Sequence, residues 1–144
     1  MPTESANGIN TLNGTVMDQD NDGKNVLAGG ISIHAVDVAN GIPANGLAVS
    51  LFFLGDTEME IASGACDASG LLQHLVSEGQ GVRRGMYRVE FSVGDYFRSL
   101  GADLPDPAFM ETAIFHFGID KVKEHFHLPF KFTAWGYSLF RGGA

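Results

Sequence analysis

Residues 125–132 read His-Phe-His-Leu-Pro-Phe-Lys-Phe, with apolar aromatic and aliphatic side chains recurring at every second position. Alternation of this kind is typical of a β-strand with one buried face. His125 and His127 fall on the same face of that strand, about 7 Å apart along it. Histidine is scarce and is rarely placed on a strand face for packing alone. Together with Arg141 after the next aromatic strand, the pair predicts a site at a subunit surface.

Most of the chain before this segment also has the pattern of short strands. They are predicted at residues 31–38, 47–54, 58–66, 71–76, 85–93 and 112–118, with a last strand at 136–141. The spacing of the apolar residues changes from that of a strand to that of a helix at residues 94–101. This predicts one short helix that Asp95 caps and Gly101 ends. Many short strands separated by turns predict an all-β fold, an antiparallel sandwich.

The first thirty residues differ from the rest in composition. They are rich in Gly, Asn, Asp, Ser and Thr, and their apolar residues have no sustained period. We predict a flexible polar and acidic extension at residues 1–30 and a folded domain at residues 31–144. Residues 18–23 imitate the opening of a calcium loop, but Gly29 stands where the bidentate carboxylate is required, so a solvated acidic loop is predicted there.

Charge and cysteine content exclude several classes of function. The 144 residues carry a formal net charge of -8, which argues against nucleic acid and against an anionic membrane surface as partners. The single Cys66 excludes an intrachain disulfide and is expected to be a buried structural thiol. No apolar run is long enough for a membrane span, and no signal peptide is evident. The expected location is therefore cytoplasmic.

The histidines are the residues best suited to chemistry. A pair such as His125 and His127 can bind a metal, or can place a general base beside a hydrogen-bonding partner. With His34 from another strand, three imidazoles could form an open zinc site, although no carboxylate partner can be assigned to it. The residues leave these alternatives open. Motifs of serine nucleophiles and of phosphate-binding glycine loops are absent.

Three blocks of sequence resemble a known family, the 5-hydroxyisourate hydrolases, which are transthyretin-related enzymes. The first block is Ile-His-Ala-Val-Asp at 33–37 with Gly-Ile-Pro-Ala at 41–44. The second runs from 85 to 97, and the third comprises Glu-His-Phe-His-Leu-Pro at 124–129 and Gly-Tyr-Ser-Leu-Phe-Arg-Gly-Gly at 136–143. The resemblance extends from about residue 31 to the end.

The resemblance implies a transthyretin-like β-sandwich of two four-stranded sheets with one short helix, assembled as a homotetramer with its clefts at a subunit interface. It also implies that water opens the ring of a small-molecule substrate, with no metal and no other cofactor. Carried over by motif, His34 and His127 activate the water, and Arg141 belongs to the segment that closes the cleft. The expected substrate-binding residues are Leu71, His125, Phe140, Gly142 and Gly143.

Three positions depart from the family pattern. Leu71 stands where the family has the arginine of an Asp-Gly-Arg turn, and Phe140 and Gly143 replace the tyrosine and serine of a terminal Tyr-Arg-Gly-Ser. One hypothesis is a hydrolase for an altered, for example N-alkylated, substrate, and the retained histidines favour it. A second is a non-catalytic carrier of the transthyretin type, which the lost polar groups favour. A third is a structural domain whose acidic tail carries an interaction.

Overall fold

The structure is a computed structural model that describes residues 29–72 and 82–143. Within these residues there are nine strands and one helix, in chain order β1 (Ile31–Asp37), β2 (Ile42–Pro43), β3 (Ala48–Leu54), β4 (Glu58–Ala65), β5 (Leu71–Leu72), β6 (Gly85–Phe91), α1 (Val93–Ser99), β7 (Ala113–Ile119), β8 (Phe126–Thr133) and β9 (Gly136–Leu139). The predicted extension at 1–30, the acidic loop at 18–23 and most of the strand predicted at 71–76 lie outside the described residues.

The strands form two sheets. The first sheet has the order β2-β1-β8-β9, with β5 also paired to β1, and the second has the order β4-β3-β6-β7. In the first sheet β1 and β8 run parallel along the whole length of β1, and the other pairs are antiparallel. A parallel pair needs a long crossover connection. Here the whole second sheet lies between β1 and β8 in the chain.

The core lies between the sheets and is built by the period-two alternation. Along β8, Phe126, Leu128, Phe130 and Phe132 face inward and are at most 7 % exposed. The ring of Phe130 stacks on Phe91 of the second sheet, with 3.8 Å between centroids. Because neighbouring residues of a strand point to opposite faces, His127, Pro129 and Lys131, which alternate with these four residues, face outward.

Helix α1 closes one end of the sandwich. Its Tyr96 and Phe97 are buried and pack edge-on against Phe132. The Tyr96 hydroxyl donates to Oδ2 of Asp37, which is fully buried at the end of β1. Asp37 also accepts hydrogen bonds from the backbone N–H and the side-chain amide of Asn40. Burial raises the pKa of Tyr96, and the bond to Asp37 raises it further, so the phenol remains a donor.

The predicted fold class is confirmed, with corrections of detail. The first sheet has five strands instead of four because of the additional two-residue strand β2, while β5 lies at the start of the strand predicted at 71–76. The parallel β1–β8 pair departs from a purely antiparallel sandwich. Asp95 lies in the first turn of α1, while Ser92 occupies the N-cap position without a side-chain hydrogen bond. An acidic side chain in the first turn still complements the helix dipole.

Cys66 and two large aromatic residues differ in how far the fold buries them. Cys66 is buried as predicted, and burial raises the pKa of its thiol to about 12. Trp135 and Phe140 are 62 % and 49 % exposed in the single chain and so do not belong to its core. Within the part of the chain that the structure describes, no helix has the length and apolar character needed to cross a membrane.

Replacing Tyr96 by Phe tests the anchor between α1 and β1. The ring packing is kept, but a buried carboxylate loses a donor, which costs about 1.5–3 kcal/mol for a bond to a charged group. Urea unfolding at one protein concentration should show this loss. Tyr137→Phe is the matched control, because its exposed hydroxyl donates only to the neutral carbonyl of Ile114. An equal loss of unfolding free energy in Tyr96→Phe and Tyr137→Phe would contradict a stabilising role for the bond from Tyr96 to Asp37.

Candidate active site

The outer face of the first sheet brings the sequence-predicted histidines together. His127 lies opposite Ser32 in the parallel β1–β8 register. The Ser32 hydroxyl is 2.8 Å from Nδ1 of His127 and 2.7 Å from Nε2 of His125, which directly precedes β8. On its other side, Nδ1 of His125 lies 3.2 Å from the Gly29 carbonyl oxygen. The hydroxyl therefore connects the two imidazoles that the sequence placed on one face.

His34 shares this face because it lies two residues after Ser32 on β1. It stands opposite Pro129 on one side and Leu71 on the other. Its Nε2 is 3.1 Å from the carbonyl oxygen of Ser69. A carbonyl oxygen can only accept, so Nε2 of His34 carries a proton. The side chains of His34 and His127 are both half-buried.

The turn before β5 positions Leu71 beside His34. Oδ1 of Asp67 accepts from the backbone N–H groups of Ser69 and Leu71, at 2.8 and 3.1 Å. Gly70 has a φ of +78°, and a Cβ there would lie 2.4 Å from the Ala35 carbonyl oxygen. Because antiparallel partners point to the same face, the half-buried Leu71 side chain borders the outer face where the family pattern has an arginine.

The C-terminal segment runs along the other side of His127. The backbone N–H of Gly142 donates to the His127 carbonyl at 2.8 Å. A Cβ on Gly142 would come within 2.8 Å of Pro129 Cγ, which explains the glycine. Phe140 precedes this contact and is half exposed, and Gly143 is exposed with a φ of +67°.

Arg141 lies at the His125 end of β8. Its guanidinium stacks on the Phe126 ring, with Cζ 4.0 Å from the centroid. Nη2 donates to Oε1 of Glu124 at 3.1 Å and to the His125 carbonyl at 3.2 Å. The arginine therefore contacts the backbone of the strand that carries the imidazoles, and it is paired with a carboxylate in this structure.

The surroundings of His127 favour its neutral form. Burial is the main cause that lowers the pKa of His127, and the nearby His125 and His34 lower it further. A neutral imidazole at pH 7 keeps a lone pair that can accept a proton from water. The arrangement is therefore suited to general-base chemistry.

Metal binding is the alternative that the sequence left open. Among residues 29–72 and 82–143, no group of three or more His, Cys, Asp or Glu side chains is arranged to hold a metal ion. The Ser32 hydroxyl is hydrogen-bonded to Nε2 of His125 and to Nδ1 of His127, and the Ser69 carbonyl oxygen accepts from Nε2 of His34.

Two residues of the site were missed by the sequence reasoning. Ser32 shares the alternation of His34, so its face was predictable, but its contacts depend on the pairing of β1 with β8. Gly29 was assigned to the extension, and no sequence signal identified its carbonyl as a partner of His125.

Comparison with known proteins adds independent findings. The sequence profile of the HIUase/Transthyretin family matches residues 31–142. A 5-hydroxyisourate hydrolase 2 of Rhizobium meliloti (strain 1021) is 40 % identical over 116 residues, covering 80 % of this chain and 97 % of the relative.

Two solved structures share the fold. An (S)-allantoin synthase superposes with a TM-score of 0.74 and 28 % identity, over 81 % of this chain and 44 % of that one. The 5-hydroxyisourate hydrolase of Klebsiella pneumoniae superposes with a TM-score of 0.66 and 27 % identity, over 80 % of this chain and 99 % of that one.

The pKa of His127 can be measured directly. We expect its Hε1 resonance to titrate below the ordinary histidine value of about 6.5, because burial and two neighbouring imidazoles disfavour the cation. NMR titration, with assignment from His127→Asn, gives the value. His34→Gln removes one neighbouring charge and should raise the pKa of His127. A wild-type value at or above 6.5 would contradict this account of the site.

Proposed function

Because the chain belongs to the HIUase/transthyretin family, we propose that it is a hydrolase that opens a cyclic amide ring of 5-hydroxyisourate or of a related purine-derived compound. The observation that carries this proposal is the pair of outward-facing imidazoles, His34 and His127, on one sheet face, with the pKa of His127 lowered. The names of the relatives support the same substrate.

In the proposed reaction His127 acts as the general base. Its neutral imidazole takes a proton from water as the water oxygen bonds to the ring carbonyl carbon. The ring C–N bond then breaks, and the proton passes from the imidazolium to the leaving nitrogen. His34, with a proton on Nε2 in the contact with Ser69, orients the water or substrate from the neighbouring strand. No metal or organic cofactor is required for these steps.

Arg141 is proposed to stabilise the negative charge that develops on the carbonyl oxygen. In this structure its guanidinium is paired with Glu124, and both side chains are about two-fifths exposed, at 40 % and 44 %. An exposed pair of this kind is worth only about 0–1 kcal/mol. Giving up the contact with Glu124 therefore costs little, and a guanidinium that turns toward a substrate also exchanges its bond to the His125 carbonyl and its stacking on Phe126.

Leu71 and Phe140 are proposed to set the substrate preference. Leu71 lies opposite His34, and Phe140 follows the outer face beside Pro129 and Gly142. Both provide apolar surface where the family pattern has a guanidinium and a phenol. Such a border suits a bulkier or N-alkylated ring better than one bound through many hydrogen bonds. His125, Gly142 and Gly143 complete the proposed binding residues through their positions around His127.

We also propose that the chain acts in the cytoplasm as a homotetramer whose subunit contacts cover this sheet face. Exposure of Phe140 and Trp135 in the single chain supports an apolar contact. Native mass spectrometry should show four copies, and a stable monomer would contradict the assembly.

A non-catalytic carrier of a small apolar ligand is the second candidate. It is favoured by the apolar Leu71 and Phe140 at the border of the face. Ligand binding without turnover on any cyclic amide would support it over the hydrolase.

Replacing His127 tests the hydrolase directly. On freshly generated 5-hydroxyisourate, wild-type protein should accelerate ring opening above the spontaneous rate, and His127→Ala should lose about 10²–10⁴-fold because it lacks the base. His116→Ala is the matched control, since His116 lies on β7 of the other sheet. Full activity in His127→Ala would contradict the mechanism.

Replacing Leu71 tests substrate preference. Leu71→Arg restores an oriented charge, which is worth about 2–4 kcal/mol, or roughly 10²–10³-fold, in a site protected from water. It should raise kcat/KM on 5-hydroxyisourate and lower it on N-alkylated analogues. Leu71→Met preserves the apolar surface and serves as the control. Unchanged ratios between the substrates would show that position 71 does not contact the ring.

A further inference from the structure

A continuous line of hydrogen-bonding groups ends at His127. It begins at the Gly29 carbonyl oxygen, passes through both ring nitrogens of His125 and the hydroxyl of Ser32, and reaches Nδ1 of His127. Its three heavy-atom distances are 3.2, 2.7 and 2.8 Å, all within hydrogen-bonding range.

The Gly29 end determines the direction of every bond in this line. A carbonyl oxygen has no proton, so Nδ1 of His125 must donate to it. In a neutral His125, Nε2 is then an acceptor, and the Ser32 hydroxyl donates its proton there. The Ser32 oxygen is left to accept from Nδ1–H of His127. Neutral His127 consequently has no proton on Nε2.

The backbone keeps the Gly29 carbonyl in place. Gly29 has a φ of +74°, and a Cβ there would lie 2.1 Å from the carbonyl oxygen of Val122, so a side chain cannot be accommodated. Its N–H donates to the Lys123 carbonyl at 3.0 Å, and the neighbouring Gly30 carbonyl accepts from Phe126 at 2.9 Å. The segment that supplies the acceptor is thus bonded on both sides to the chain leading into β8.

We propose that Ser32 is a positioning residue that fixes the tautomer of His127, a role that rests on the proposed hydrolase function. The lone pair on Nε2 is the one that a base needs to accept a proton from water. That proton enters at Nε2 and leaves from Nε2, while the proton on Nδ1 stays in its bond to Ser32 throughout. Ser32 acts through His127 and does not contact the substrate, and His125 holds the Ser32 hydroxyl in the orientation that this requires.

The tautomer can be observed without any substrate. Long-range ¹H–¹⁵N correlation spectra of the full-length protein distinguish protonated from bare ring nitrogens. For neutral His127 we expect a proton on Nδ1 and none on Nε2. Ser32→Ala should give a mixture of tautomers, and Ser32→Thr, which keeps the hydroxyl, should restore the wild-type pattern.

Turnover provides the second readout. Loss of the hydrogen-bonding partner that orients a metal-ligating histidine typically costs about 10–100-fold in activity, and we expect a loss of similar size for a partner that orients a general base. We expect Ser32→Ala to lower kcat by this factor with little change in KM, and Ser32→Thr to recover most of it. Ser63→Ala, at an exposed position on β4, is the control for removal of a strand hydroxyl.

The outcomes separate this inference from the proposed function. A wild-type His127 with its proton on Nε2 would overturn the inference, and so would an unchanged tautomer in Ser32→Ala. The wild-type spectrum alone shows which ring nitrogen of His127 carries the proton, so it tests the inference even if Ser32→Ala fails to fold. The expected tautomer in a protein without turnover would support the hydrogen-bond assignment and reject the hydrolase.

Discussion

The parallel pairing of β1 with β8 is the constraint on which the site depends. It places Ser32 opposite His127 and puts His34 two residues further along the same face. The inward faces of the same strands supply the core, where Phe130 stacks on Phe91. A shift of one residue would turn the imidazoles inward and the phenylalanines outward. Burial of the aromatic residues therefore holds the histidines in their relative positions.

Much of this arrangement could be predicted from the sequence. Alternation in residues 125–132 and 31–38 predicted which side chains face outward, because period two follows from strand geometry alone. The direction of pairing could not be predicted, since alternation is the same in parallel and antiparallel strands. The role of Ser32 could not be predicted for a related reason. Its hydroxyl contacts His125 and His127 only because β8, which is distant in sequence, pairs with β1. The division of the chain at residue 30 stays a prediction.

Charge is unevenly distributed around the site. The imidazole of His34 lies beside the apolar Leu71, while the guanidinium of Arg141 is held at the end of β8 by Glu124. Burial and mutual repulsion keep His127 neutral. For the proposed hydrolase, this combination would provide a base without a dense set of fixed positive charges, which suits selection of the substrate by shape and apolar contact. In the proposed function, residues 71, 140 and 143 set the substrate preference while the histidines supply the chemistry.

The most direct test of the account compares the pH dependence of kcat/KM with the pKa of His127 in the same protein. The acid limb of kcat/KM reports the essential base of the free enzyme. Because the pKa of His127 is lowered, activity should persist below pH 6.5 and fall only as pH drops through the value measured for this residue by NMR. An acid limb that does not coincide with the titration of His127 would contradict its assignment as the base.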